Sequence, residues 1–455
     1  MFANSGRQSL NLQYSFTRTM LHKHIARHTK KYVSHITKYL YERDTLFATV
    51  SVFVFLMLLG MIPLNLYVLN PMKMALKDFD FNDMKFARLV NDDKIKLDTN
   101  ITIVNIGRSD REEIANTIKL VSQYKPKVMG LDALFVGERD SLKDAALRDV
   151  LINTKNLVVA SYLEPGDTFV VRKDYFDEVT PDKGFVNFVT ENVGTRRFYS
   201  PFFELIDHKI VPSFTSAIVE KSNKAAYDKL VSRHKDVETI NYSRRDNKYF
   251  VVEPEQLIAD GVDTNTIRNR IVLLGYVNKD PTDIEDKLFT PMNEKFAGKA
   301  LPDMNGIVVH ANIISMVLEE NYIKKLPKWV AWVMAIVIGW IHMSLFIRYY
   351  LESHIWFHLV AKIAQVFSVI LFAYLGIFIF DKFGVKLEMK YTLYVIALAV
   401  DVIYFYEAFV TWLHKKFKYQ TIFGHHHGGE HAATHKQEHH NNEQHKHETT
   451  THEHH

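Results

Sequence analysis

The chain has 455 residues, with 56 Lys and Arg against 52 Asp and Glu, a formal net charge of +4 and no cysteine. Without cysteine there are no disulfides, thiol nucleophiles or thiolate metal sites. The small net charge says nothing about nucleic acid, but no basic stripe interleaved with aromatics appears, and nucleic acid is not expected as a partner.

Hydropathy averaged over the whole chain hides four apolar blocks, at 45–69, 329–347, 355–380 and 391–413. Each is about the length a helix needs to cross roughly 30 Å of hydrocarbon, so the chain is expected to be a multi-pass membrane protein. Lys362 and Gln365 in the third block, and Asp401 and Glu407 in the fourth, leave three crossings as the alternative to four.

Residues 1–44 carry Arg7, Arg18, Lys23, Arg27, Lys30, Lys31, Lys38 and Arg43 against only Glu42 and Asp44. The positive-inside rule holds such a segment in the cytoplasm. Leu21, Ile25, Tyr32, Ile36 and Leu40 recur near helical spacing. Either an amphipathic helix on the inner membrane surface or a disordered basic arm fits that pattern. The block at 45–69 is too long and too far from the start for a cleaved signal peptide, and reads as a signal anchor.

Residues 70–328 form one polar block of domain size, expected outside the cytoplasm. It is organised around 101–135. The β-branched run 101–106 reads as a strand buried on both faces. Gly107 breaks it, and Ser109 or Asp110 can cap a helix in which Ile114, Ile118 and Val121 share one face. Pro126 ends that helix and 128–131 supplies a second strand, making a parallel crossover unit. Ligands of open α/β sheets bind at the carboxyl ends of strands. Arg108, Ser109 and Asp132, with Glu138, Arg139 and Asp140 beyond, are therefore the first candidate site. The bland reading is that Asp132 caps a loop and the charges are solvated.

Further strands are expected at 157–161, 169–172, 184–189 and 270–277, with a helix at 214–221 capped by Ser213. The charged stretch 222–248 reads as a surface excursion. The apolar run 306–309 leads into a helix at 311–320 that points toward the second apolar block. The fold class is thus an extracytoplasmic α/β domain, its sheet mixed or mostly parallel with flanking helices. To it is added an α-helical transmembrane bundle of one N-terminal and three C-terminal helices.

Within the block 329–413, ionisable groups are costly and need partners. Counting about 1.5 Å per residue, Glu407 is expected to meet Lys362, with His342 at similar depth and Gln365 near Asp401. Such a polar cluster fastens the return helices together, and a proton or ion pathway is the sharper alternative. Both termini are then cytoplasmic, in keeping with Lys415, Lys416 and Lys418. The tail, 414–455, is histidine-rich, with twelve His among its last thirty-one residues. His425, His426, His427, His439, His440, His445 and His447 can bind zinc, nickel or copper weakly. From His425 on, no large apolar residue is present to build a fixed cage, so a disordered tail with incidental affinity is the plainer reading.

Several runs together resemble a known family. KVMGLDALF at 127–135 and RIVLLGYV at 270–277 come first, followed by LFTPMN at 288–293 and DMNGIVVHAN at 303–312. In this order they resemble the CHASE domain of type two, an extracellular sensing domain associated with cyclases and histidine kinases. The resemblance covers roughly residues 75–345, and it implies one helix before the sensor and usually three after it. It adds Thr290, Asp303, Gly306, His310 and Asn312 to the candidate site, with His310 at a strand end facing Asp132 or satisfied in the core. The family often carries acidic residues after the first strand and a tryptophan-proline insertion; Asn105-Ile106-Gly107-Arg108 has neither. No kinase glycine loop, phosphoacceptor helix or cyclase core follows the last apolar block, so the signal is expected to leave through a separate protein partner or through the membrane helices themselves.

Four function classes follow. The first is a membrane-anchored sensor in the bacterial inner membrane, in contact with lipid, able to oligomerise and passing its signal to an unidentified protein. The second is a structural or assembly subunit of an envelope complex, its tail buffering metal ions. The third is an enzyme, against which stands the absence of HExxH, GxSxG, P-loop and GxGxxG patterns; a pair of Asp132 with Glu138 or Asp140 is the only carboxylate candidate. A metal transporter using the tail is a fourth, poorly served by helices with few polar groups. No resident cofactor is expected.

Overall fold

The computed structural model describes residues 38–61, 80, 82–164, 169–180, 182–188, 194–259, 261–280, 282–294, 301–352 and 354–425. Most of the basic N-terminal segment and the tail beyond His425 lie outside them. The chain divides into two compact units, one of residues 65–325 with 377–386 and one of the remainder.

The first unit is built on a six-stranded sheet, parallel at every pairing. Its strands are β1 (Ile101–Asn105), β2 (Val128–Leu131), β3 (Leu157–Ser161), β4 (Lys183–Phe185), β5 (Phe250–Val252) and β6 (Ile271–Gly275), in the order β5-β1-β6-β2-β3-β4. The strand–helix–strand unit seen in the sequence is present, but β6 slots between its two strands. Ile101 pairs with Ile271 and Ile271 with Val128.

Side chains alternate across this sheet, as the pleat requires. Ile101, Ile103, Val128, Val158 and Leu273 enter one core; Val104, Met129, Leu131, Val159 and Leu274 enter the other. The second core is closed by α3 (Arg111–Gln123), α4 (Ser141–Asn153) and α7 (Pro254–Ile258), through Ile114, Ile118, Leu147 and Leu257. The first is closed by α5 (Phe214–Ser222), α6 (Lys224–Ser232) and α8 (Gly306–Leu318). Each fully buried aliphatic side chain stabilises this layering by about 1.5–3 kcal/mol. Gly184 has no room for more, since a Cβ there would stand 2.5 Å from the Phe214 backbone.

Three expectations are corrected in this unit. The strand at 169–172 is a two-residue hairpin, Val170–Val171 against Leu163–Glu164, apart from the main sheet. Residues 222–248 are not an excursion. Ala226 and Leu230, four residues apart on α6, enter the core with Ile240 and Tyr242, while Lys224, Asp228 and Lys229 of that helix face outward. The run 306–309 is not extended either: α8 begins at Gly306 and is buried on all sides through Val317. A continuous apolar run does not separate a buried strand from a buried helix, and here length decides.

Residues 377–386 join this unit by several contacts. Lys324–Lys325 pairs in parallel with Val385–Lys386, and Lys386 Nζ reaches Asp80 at 2.7 Å. Phe380 meets Phe86, on α2 (Asp83–Arg88), edge to face.

Four described helices are long and apolar enough to cross a membrane: α1 (Arg43–Met61), α9 (Lys328–Glu352), α10 (His354–Phe383) and α11 (Lys390–Phe417). Except for the end of α10 from residue 377, all belong to the second unit. Ala48, Val52, Ala335, Met343, Ala399 and Ile403 form its interior. Asp44, at the head of α1, accepts hydrogen bonds from Tyr406 Oη (2.8 Å), Thr421 Oγ1 (2.9 Å) and the Ile422 N–H (2.8 Å).

Candidate functional site

The carboxyl ends of β1, β2 and β6 surround a cleft of about 430 Å³. β1 ends at Asn105, whose side chain clamps the mouth. Its Oδ1 accepts from the N–H groups of Gly107 (3.1 Å) and Val277 (2.8 Å), and its Nδ2 donates to Glu253 (2.8 Å). Gly107 turns with φ +50°, in the left-handed region that glycine tolerates. The chain then enters α3 through a capping box. Asp110 accepts from the N–H groups of Glu112 and Glu113, and Glu113 returns to the Asp110 N–H at 2.8 Å.

The opposite wall is the loop after β2. Its first residue, Asp132, is tied to the sheet by its own N–H, which donates to the Leu274 carbonyl at 2.8 Å. Arg111 and Asp144, both buried, hold the two walls together at 2.6 Å, with Arg111 also donating to the Gly137 carbonyl. Lys143 on α4 reaches Asp110 at 2.6 Å across a solvated gap. Ser109, Ile114, Leu134, Phe135 and Tyr276 complete a lining that is polar at one side and apolar at the other.

Asp132 keeps part of its surface open to this cleft. Burial of its carboxyl, and the neighbouring Asp286, push it up to about 7. Asp286 is itself raised to about 6, by burial first and by Glu285 second, against the lowering effect of its hydrogen bond with Gly306 at the start of α8. Asp286 does not itself line the cleft, and its influence on Asp132 there is electrostatic. Asp286 was not singled out in the sequence. Its positive φ of 57° places it at a turn in a polar loop, where no periodic pattern draws attention to it.

The candidate residues do not all converge. Ser109 and Asp132 line the cleft, whereas Arg108 points to solvent and pairs with Glu285. Asp140 caps α4 through the N–H groups of Leu142 and Lys143, and it is Asp286 that the electrostatics couple to Asp132. Thr290 and Asp303 belong to a separate knot, in which Asp303 accepts from the Thr290 N–H (2.8 Å), the Thr290 hydroxyl and Asn293 (3.1 Å). Burial nevertheless raises the Asp303 carboxyl. Asn312 pins the 243–244 turn to α8, its Oδ1 accepting from Ser243 N (3.0 Å) and Arg244 N (3.1 Å), its Nδ2 donating to the Arg244 carbonyl (2.8 Å). His310 sits one turn into α8 and not at a strand end. It stacks on Phe188 and meets Phe214 edge-on, and burial lowers it to about 4. Gly306 begins α8.

The intramembrane residues also fall differently. Lys362 pairs with Asp401 (2.7 Å), and Glu407 accepts from the Tyr350 hydroxyl, so the expected Glu407–Lys362 pair is absent. Gln365 donates to the carbonyls of Ile396 (2.9 Å) and Ala397 (2.7 Å) instead of Asp401, and His342 Nδ1 contacts the Ile338 carbonyl at 2.8 Å. Among the described residues, no group of three His, Asp or Glu is placed to share a metal ion. His425 ends a 3-10 turn, and His426, His427, His439, His440, His445 and His447 lie outside the described residues.

A parallel α/β domain set between apolar helices, with its cleft at the strand ends, accords with the comparison by family. The CHASE2 domain matches residues 50–346. The chain belongs to the CHASE2 family. That family consists of sensing domains, and with the four apolar helices it marks a membrane protein. The CHASE2 match starts inside α1 and ends inside α9, so it includes apolar helix on both sides of the sheet. Comparison with curated proteins and with solved structures gives no match.

Proposed function

We propose that this CHASE2 protein is a membrane-anchored receptor without enzymatic activity, its α/β unit outside the cytoplasm of a bacterial cell and both termini inside. The cleft at Asp132 takes a small ligand or a side chain of a partner, and the change is passed through α8 and the following α9 to a separate protein that supplies the output. The observation that carries this reading is Asp132, held near neutrality between an acidic neighbour and an apolar wall at the carboxyl edge of a parallel sheet. A group of that kind changes its charge when a cation or hydrogen-bond donor arrives, and a change in charge can shift the loops around it. The continuity of chain from α8 through residues 319–327 into α9 supports a mechanical route.

The test uses the full chain in detergent. Small amines and amino acids are titrated while the melting temperature is followed, for wild type and for Asp132→Ala. Binding at the cleft predicts a rise in wild type that the variant lacks. Gentle extraction from native membranes then identifies what copurifies. A regulator in stoichiometric amount supports the sensor. An envelope-assembly component in its place, with no thermal response to any probe, would sink it.

A further inference from the structure

The surface that α10 and α11 share is polar where a membrane helix should be apolar. Lys362 and Asp401 pair across it at 2.7 Å with side chains still 49% and 44% exposed. On α10, exposed His358 lies one turn before Lys362, and its Nδ1 is 2.8 Å from the Tyr404 hydroxyl, the two rings stacked. Along α11 the same face continues through Ala408, Thr411 and Lys415, at the i, i+3/4, i+7 spacing of one helix side, and holds a groove of about 350 Å³.

Depth makes this a problem for a lone chain. Asp401 lies about 16 Å along α11 from Lys390 at about 1.5 Å per residue, well inside the span. A long lysine can bend toward an interface, but a short aspartate cannot. Ionisable groups inside membranes almost always face a protein interior or a water-filled cavity. Other exposed positions of α10 are apolar, including Ile363, Val366, Phe367 and Ile370. Val366, one turn on from Lys362, keeps the side of the ion pair partly apolar, whereas Phe367 lies well round the helix from it.

We infer that the Lys362–Asp401 face of α10 and α11 is the interface on which a second copy of this chain docks. Charge complementarity selects that occupant. A two-fold axis along the membrane normal brings together groups of equal depth from both copies. Lys362 and Asp401 meet at a common depth, so each copy offers Asp to the other's Lys and Lys to the other's Asp. A stripe of one sign would repel its copy; this one is self-complementary. Ala408, small and exposed beside Tyr404, lets the helices approach closely. The inference rests on the helices alone and stands or falls apart from the ligand reading of the cleft.

The native chain has no cysteine, so Ala408→Cys introduces a single thiol in the groove and Phe367→Cys a single thiol on the lipid-facing side, where Phe367 is 64% exposed. The full chain in native membranes is oxidised with copper phenanthroline and run on a non-reducing gel. The expected result is a band at twice the 53.0 kDa chain mass for Ala408→Cys, stronger by about tenfold than for Phe367→Cys. Adding Lys362→Leu with Asp401→Leu, which removes both charges and orphans neither, is expected to lower that band by about tenfold. Equal bands from the two thiols, an Ala408→Cys adduct only to a protein of another mass, or no band while the thiol reacts freely with maleimide would each overturn the second-copy interface.

Discussion

The floor of the cleft and the ground around α8 are built from similar polar residues and treat them in opposite ways. Around α8, Asn312 and Asp303 are answered by backbone and side-chain partners. Asn312 is bonded on both ends of its amide, and Asp303 is held by three donors from Thr290 and Asn293. At the cleft, Asp132 contributes its N–H to the sheet while its carboxyl faces open space and another acid. Polar groups that are fully answered hold a fold in place, and those left with an unsettled charge are available for a visitor.

The contrast breaks most readily at Asn312. Asn312→Ala leaves the partly buried Ser243 and Arg244 amides without their acceptor, and is expected to cost about 1–3 kcal/mol. The check is thermal unfolding of the full chain in detergent, where an unchanged melting temperature would refute the structural role. His310 sharpens it by pH. It is neutral in the fold, whereas the unfolded chain takes up a proton below about 6.5. Stability is therefore expected to fall as pH drops from there to about 4, the value burial imposes on His310. His310→Phe should remove that slope, a difference of about 2 kcal/mol near pH 4.5.

Asp132 works in the reverse direction. Its folded carboxyl keeps a proton up to about 7 that the unfolded chain gives up near 3.8, so stability declines as pH rises between them. Asp132→Asn should melt higher than wild type at pH 8, by about 1 kcal/mol after allowing for its open side, and equal it at pH 4. A gain at pH 4 as large as at pH 8 would remove titration as the cause. Arg108→Ala should leave the melting temperature unchanged, because its pair with Glu285 is solvated.

Much of the α/β unit was legible because β1, β2, β3 and β6 are short apolar runs between polar breaks, and because Asp110 with Glu113 spells a capping box. The insertion of β6 between β1 and β2 was not, since strand order is settled by pairing between distant segments and leaves no local mark. β5 is three residues long and partly buried, too short for alternation to register. In the cleft, Ser109 and Asp132 could be read from their position after strands. Asp286 could not, because its nearness to Asp132 is made by the fold. In the helices, counting residues gave depth but not azimuth, which is why Lys362 was matched with Glu407 when Asp401 faces it.

Asn105 ties the ends of β1 and β6 and the residue after β5 to one amide. A molecule prising the Gly107 turn open would pull on Val277 and Glu253 as well, so the rim yields as a single stiff ring. On the receptor reading proposed above, resistance to widening, more than the contour of the hollow, would set which molecules enter.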